Sequence, residues 1–242
     1  MALTYKLIDN HFHYYLGDEE LGFIETYENK AHQDNLYVSL ALNTYEPEYA
    51  SEIFDLIQVH TNSSLQIGLD SSNEEAIDFL VEAGFMLKRN TFMMEVSEAN
   101  LKQPLSDSSD DIKLITAEEN TDLFLEALSM LYTQYEEDHS SVNALHLDLE
   151  EFRESTPETV YVELDSEGRV KRYAFVEAEE IAYIGPDLDE QDQFVFDLLA
   201  VLFAEYETLE FEADDTSPAH TKLKKYFNDG VDSIYKTYVL DK

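Results

Sequence analysis

The chain has 242 residues, 44% hydrophobic and 12% aromatic, enough for one large domain or two small ones and too apolar for wholesale disorder. Its 53 acidic and 15 basic residues give a formal net charge of -38, which repels nucleic-acid phosphates and anionic membranes and attracts cationic ligands, besides favouring solubility. The absence of cysteine excludes disulfides, thiolate metal sites and a cysteine nucleophile; no apolar run nears the roughly 20 residues of a membrane helix, and "MALTYKLIDN" lacks the basic and apolar regions of a secretory signal, so a soluble cytoplasmic protein is expected.

In chain order, "FHYYL" and "LGFIETY" flank "GDEE" and predict a β-hairpin. In "LYVSLALN", Leu36, Val38, Leu40 and Leu42 alternate onto one face, as in a half-buried strand. "PEYASEIFDLIQVH" follows with Ile53, Leu56, Ile57 and His60 at helical spacing. Then come a strand, "SLQIGL", a helix within "SSNEEAIDFLVEAGF", and a strand, "GFMLKRNTFMMEV", with a bend allowed at "KRN". "SEANLKQPLSDSSDD" combines Pro, Ser and Asp without periodicity and reads as a linker.

Beyond it, "IKLITAEE" predicts a strand, and a long helix carries Leu123, Ala127, Leu128, Leu131 and Tyr135 on one face, capped by Asn120 or Thr121. A short helix, "DLEEFRES", stops before Pro157. The hairpin "VYVEL"–"RVKRYAFVEA" closes at "DSEG"; strand "IAYIG", an apolar helix from "DEQDQ", strand "TLEFEA", helix "SPAHTKLKKYFNDG" and strand "VDSIYKTYVL" complete the chain.

The two halves repeat one order of elements. Leu16 and Leu164 lie 148 residues apart, Leu65 and Leu209 144, and Gly84 and Gly230 146. This predicts an internal duplication: a truncated first domain over residues 1–97, a linker over 98–111, and a second domain over 112–242. The first copy is expected to lack the leading strand and two helices of the second.

The residues Asn73, Ala76, Ile77, Phe79, Leu80, Gly84 and Phe85, in the pattern N-x-x-A-I-x-F-L-x-x-x-G-F, resemble the last motif of the GNAT acyltransferases. The order hairpin, strand, helix, strand, helix, Gly-Phe, strand is similar to their core. The resemblance implies an α/β fold of two mixed sheets flanked by helices, arranged as a tandem repeat. It also implies acetyl-CoA as a substrate and a primary amine as acceptor, with acetyl-CoA lying where two central parallel strands part. Leu40, Leu42 and Asn73 in the first half, and Ile184 and Gly185 in the second, would border that cleft.

The diphosphate should rest on backbone N–H groups at a helix start, in a glycine-rich loop that admits close approach. Here the loops depart from the pattern. The first has Ala50, Ser51 and Ile53 in place of Arg or Gln and glycines, among Glu46, Glu48 and Glu52. The second has no glycine after Pro186 and carries Asp187, Asp189, Glu190 and Asp192. The resemblance also implies a general-acid Tyr four residues before the Gly; that position is Leu80 in the first half and Tyr226 in the second. Glu177 and Glu179 are general-base candidates at the hairpin end. His11 and His13 have no third partner at metal spacing, so no metal is expected. Two functions remain open: acetyl transfer to a cationic amine, or a non-catalytic GNAT-fold module holding a basic protein or polyamine. In either case the chain is read as a monomer with an internal pseudo-dimer, or as a homodimer.

Overall fold

The computed structural model describes residues 3–105, 112–116, 120–186, 188 and 192–242. The chain forms two compact units that do not follow chain order. Unit 1 comprises Met1–Asn90, Ser140–His146 and Tyr235–Lys242; unit 2 comprises Thr91–His139 and Leu147–Ile234.

The first copy runs β1 (Leu3–Ile8), β2 (His11–Leu16), β3 (Glu19–Asn29), β4 (His32–Leu42), α1 (Ala50–Thr61), β5 (Ser64–Asp70), α2 (Glu74–Glu82) and β6 (Met86–Val96). The second runs β7 (Ile112–Thr116), α3 (Thr121–His139), α4 (Leu149–Arg153), β8 (Thr159–Leu164), β9 (Val170–Glu177), β10 (Glu180–Gly185), α5 (Gln193–Glu205), β11 (Leu209–Asp214), α6 (Pro218–Lys224) and β12 (Val231–Leu240). The duplication is therefore present, with one correction. The first copy lacks the two helices that follow β7 but keeps a leading strand, β1. That strand pairs with β2 alone and is exposed from Thr4 to Ile8, so it has no burial pattern to betray it in the sequence.

Each unit is completed by the last strand of the other copy. In unit 1 the order is β1-β2-β3-β4-β5 and then the end of β12, whose Tyr235–Leu240 run antiparallel to Asp70–Leu65. In unit 2 the order is β7-β8-β9-β10-β11 and then the end of β6, where Thr91–Val96 run antiparallel to Asp214–Leu209. The strand allowed to bend at "KRN" is one unbroken strand, and it passes from one unit into the other after Asn90. The start of the segment read as linker is ordered. Ser97 and Asn100 form a capping box around a short turn, Leu101 bridges to Phe227, and the Lys102 N–H donates to the Tyr226 carbonyl at 2.9 Å. Residues 106–111 lie outside the described residues.

The stretch from Asn73 to Phe85 builds α2 by local chemistry. The Asn73 side chain accepts from the Ala76 N–H and caps the helix; Ala76, Phe79 and Leu80 form its buried face. Gly84, with φ 94°, ends it as the Phe85 N–H returns to the Leu80 carbonyl at 3.0 Å. Phe79 and Phe85 then pack around Phe54 of α1, with centroids 5.6 and 4.7 Å away.

Gly22 of β3 lies against the β4 backbone. Its φ is 118°, and a Cβ there would stand 2.3 Å from the Ala41 carbonyl oxygen. Gly22→Ala is expected to lower unfolding free energy by about 2–3 kcal/mol, read as a lower urea midpoint at constant slope.

Ser140–His146 is pinned into unit 1 by a buried polar network. His32 Nδ1 meets the Asn143 carbonyl at 2.8 Å, Asn35 donates to the Val142 carbonyl at 2.8 Å, and Asn143 donates to Gln66 Oε1 at 3.1 Å. Burial holds the His32 pKa below the ordinary 6.5, against the pull of its two carbonyl contacts. The unfolded chain therefore takes up this proton first, so the contribution of His32 to stability is complete above pH 6.5 and is lost as pH falls below it. His32→Gln, which keeps a donor for Asn143, is expected to flatten part of the fall in Tm between pH 7 and pH 5.

Candidate functional site

Both units contain a pair of parallel strands that part. In unit 1, β4 and β5 are in register only at Asn35–Ser64, Leu36–Leu65 and Tyr37–Gln66. Leu40 and Leu42 lie beyond that point, half-buried and paired instead with Ile24 and Gly22 of β3. Asn73 is spent on its helix cap. The following helix, α1, starts at Tyr49 without a side-chain cap, flanked by Glu46, Glu48 and Glu52. Carboxylates around a helix start oppose an anionic ligand there.

In unit 2 the parting is sharper. β10 and β11 share a single register pair, Glu180–Glu210, and the β10–β9 register shifts just beyond it, between Ile181 and Tyr183. The free end of β10 turns to α3. Gln134 donates to the Ile184 carbonyl at 3.2 Å and accepts from the Tyr173 hydroxyl at 2.8 Å. Gly185 makes this approach possible, since a Cβ there would stand 1.9 Å from Gln134 Oε1. Ile184 and Gly185 are both buried, paired with Ala174 and Tyr173 of β9 and met by Gln134 of α3.

Between α3, Pro186 at the end of β10 and Pro218–Ala219 at the start of α6 opens a cleft of about 640 Å³. Glu126, Glu137 and Asp138 line it, and no lysine or arginine does among the described residues. The Asp138 carboxyl is held above the ordinary carboxylate range, chiefly by burial, with Asp214 and Glu137 adding repulsion while Ser217 and Gln134 pull the other way. Beneath it, Thr91 donates to Asp214, and the Ser217 N–H closes the β11–α6 turn on the Asp214 carbonyl at 3.1 Å. In the same turn Thr216 Oγ1 and His220 Nε2 are buried without a hydrogen-bond partner among the described residues.

The start of α5 is closed. Asp192 accepts from the Phe194 N–H at 3.0 Å, and its carboxylate meets Arg172 at 2.8 Å. Its own N–H donates to the Tyr226 hydroxyl at 2.6 Å, and its carbonyl accepts from Val195 and Phe196. The N–H groups that would receive a diphosphate at this helix end are thus taken by the chain itself, and a carboxylate stands where an anion would bind. Asp187, Asp189 and Glu190 lie outside the described residues.

The structure therefore places Tyr226 at the start of α5, 5% exposed and edge-on to Phe196, and it is not among the cleft residues. Glu177 and Glu179 are exposed and flank Ala178 in the β9–β10 turn; Glu177 pairs with Glu180, five steps of about 3.3 Å along β10, or roughly 16 Å, from Gly185, and Glu179 lies one residue further. The sequence reading missed Gln134, Asp138, Ser217 and His220. The spacing of Gln134 and Asp138, four residues apart on α3, was the one signal available for any of them. His11 and His13 sit beside Glu25 and Glu20, and no group of three or more metal-ligating side chains occurs among the described residues. No described helix is long and apolar enough to cross a membrane.

No protein-family model matches the chain, and no curated protein matches it in sequence. Solved structures match it in fold. A GCN5-related N-acetyltransferase from Sphaerobacter thermophilus superposes with a TM-score of 0.59 at 13% identity, over 98% of this chain and 82% of that one. A tandem GNAT protein from the clavulanic acid biosynthesis pathway gives 0.54 at 11% identity, over 96% and 82%. A functionally unknown conserved protein from Staphylococcus epidermidis gives 0.52 at 12%, over 89% and 93%. The chain has a tandem GNAT-like fold, with mixed sheets flanked by helices, as the repeated element order predicted.

Proposed function

We propose that unit 2 binds a cationic amine in the cleft beside α3 and acts on it as a GNAT-type N-acyltransferase. The observation that carries the reading is Asp138, a half-buried carboxylate in a cleft whose charged lining is entirely acidic. Glu126 and Glu137 attract and orient an ammonium. Asp138, raised above the ordinary carboxylate range, takes a proton from it more readily than a solvated Asp would, leaving the free amine that acyl transfer requires. Gln134, fixed by Ile184 and Tyr173, holds the wall against which the amine rests. An acyl-CoA would supply the activated carbonyl as a thioester; the residues at α5 do not fit its diphosphate, since Asp192 and Arg172 fill that end.

That last observation favours a second reading, in which the amine, a polyamine or a basic protein is bound without transfer. Titration calorimetry of the purified protein with spermidine and with acetyl-CoA separates the two. Spermidine binding that weakens with salt, together with micromolar acetyl-CoA binding, is expected for the enzyme. Spermidine binding with no acetyl-CoA heat at millimolar concentration selects the binding module. No spermidine binding at low salt overturns both.

A further inference from the structure

Resting on the amine reading above, we infer that Gln134 is the positioning residue of the unit 2 cleft: its amide holds the Asp138 carboxylate in place, and the buried Tyr173 hydroxyl sets which way that amide points. Gln134 stands one helical turn before Asp138 on α3, and both line the cleft. Its oxygen accepts from the Tyr173 hydroxyl at 2.8 Å, and its nitrogen donates to the Ile184 carbonyl at 3.2 Å. An amide nitrogen carries two N–H groups, and the same side chain also bonds the Asp138 carboxyl. The three partners agree on one orientation. Reversed, the amide would set its oxygen against the Ile184 carbonyl and the Asp138 carboxylate, one acceptor facing two others. Tyr173 is fully buried on β9, paired with Gly185, and is not among the cleft residues. Burial, and then the Asp138 charge, push its pKa up, so it remains an O–H donor. Gly185 leaves the room: a Cβ there would stand 1.9 Å from the amide oxygen and 3.0 Å from the Tyr173 hydroxyl.

Asp138 needs this hold because its other surroundings oppose its charge. Burial is the largest influence, and Asp214 at the end of β11 and Glu137 on α3 add like charge. On α6, His220 is kept neutral by burial against the pull of Asp214, so it supplies no compensating cation. What favours the carboxylate is the pair of side chains that bond it, Ser217 at the start of α6 and Gln134. A donor fixed on one carboxylate oxygen stabilises the ionised form and leaves the other oxygen for the ligand's ammonium. Tyr173 therefore acts on the ligand through two other side chains, and Gln134 through one.

The test follows the Asp138 carboxyl carbon by NMR in ligand-free protein labelled with carbon-13 aspartate, the signal being assigned by its absence from Asp138→Asn. Gln134→Met keeps the length of the side chain and removes the donor. It is expected to raise the pH midpoint of that signal by about one unit, and to weaken spermidine binding about fivefold in titration calorimetry. Tyr173→Phe, which removes a single oxygen, should move the midpoint the same way by less, and should add nothing in the Gln134→Met background. A glutamine and a tyrosine that serve packing alone would lower the Tm and leave the midpoint where it is. An unmoved midpoint in both single variants, or a Tyr173→Phe shift that persists in the Gln134→Met background, overturns this inference while wild-type spermidine binding leaves the amine site standing. Absence of spermidine binding by the wild type overturns the amine reading, and the role inferred for Gln134 with it.

Discussion

Asp192→Ala is expected to cost about 3 kcal/mol of unfolding free energy, the lower end of the range for breaking a buried ion pair. The two carboxylate bonds work together. One caps α5 through the Phe194 N–H, a contact of about 1 kcal/mol, and the other meets Arg172, whose side chain is 14% exposed against 2% for Asp192. Arg172 keeps Glu163 at 2.6 Å after the substitution, which holds the loss to the lower end. Asp192→Asn keeps an acceptor for the cap and removes only the charge, so its cost should be smaller. Urea unfolding at constant slope reads both. The same variants probe the closed helix end: Asp192→Ala removes a carboxylate and releases the Phe194 N–H and the Arg172 Nη2 contact, so it should bind acetyl-CoA more tightly than the wild type. Wild-type stability in Asp192→Ala would show that the pair contributes nothing, and the account of a self-occupied anion site would fall with it.

Asp138→Asn should have opposite effects on binding and on stability. Loss of the charge weakens amine binding by about tenfold or more at low salt, and any acyl transfer falls by about 10²–10⁴, the usual contribution of a positioned general base. Stability moves the other way. The folded pKa lies above the ordinary 3.8, so the unfolded chain holds its proton less tightly than the folded one. Above the folded pKa the ionised carboxylate is a net cost to folding, and that cost vanishes as pH falls below 3.8. Asp138→Asn should therefore raise the Tm at pH 7, with the gain shrinking toward pH 4. A carboxylate there for stability alone would lower the Tm and leave binding untouched. Activity exchanged against stability at one residue is the pattern expected of a functional group.

The local elements of this protein were legible because local chemistry makes them. Asn73, the apolar face of Ala76, Phe79 and Leu80, and Gly84 specify α2 and its end without reference to any other part of the chain. The alternation in β4, the Asn120 side chain accepting from the Leu123 N–H at 3.3 Å at the start of α3, and the repeat spacing follow the same rule. The fold class followed, since two copies of one element order predict two copies of one sheet. β1 was not legible, because an exposed edge strand buries nothing and so carries no pattern.

What only the tertiary structure decided was which strand completes which sheet and which side chains meet. Two antiparallel last strands of similar composition satisfy either sheet's hydrogen bonds, so sequence cannot choose between β6 and β12. The glycine-poor loops depart, already in the sequence, from the pattern of a diphosphate site. That Asp192 and Arg172 had filled the helix end required coordinates, because the partners lie 20 residues apart on different elements. The cleft is more distant still: Asp138 and Ser217 are 79 residues apart, on α3 and at the start of α6, and meet only in the folded chain. Propensity and periodicity act over a few residues, whereas a site is set by packing between elements that the chain brings together only on folding.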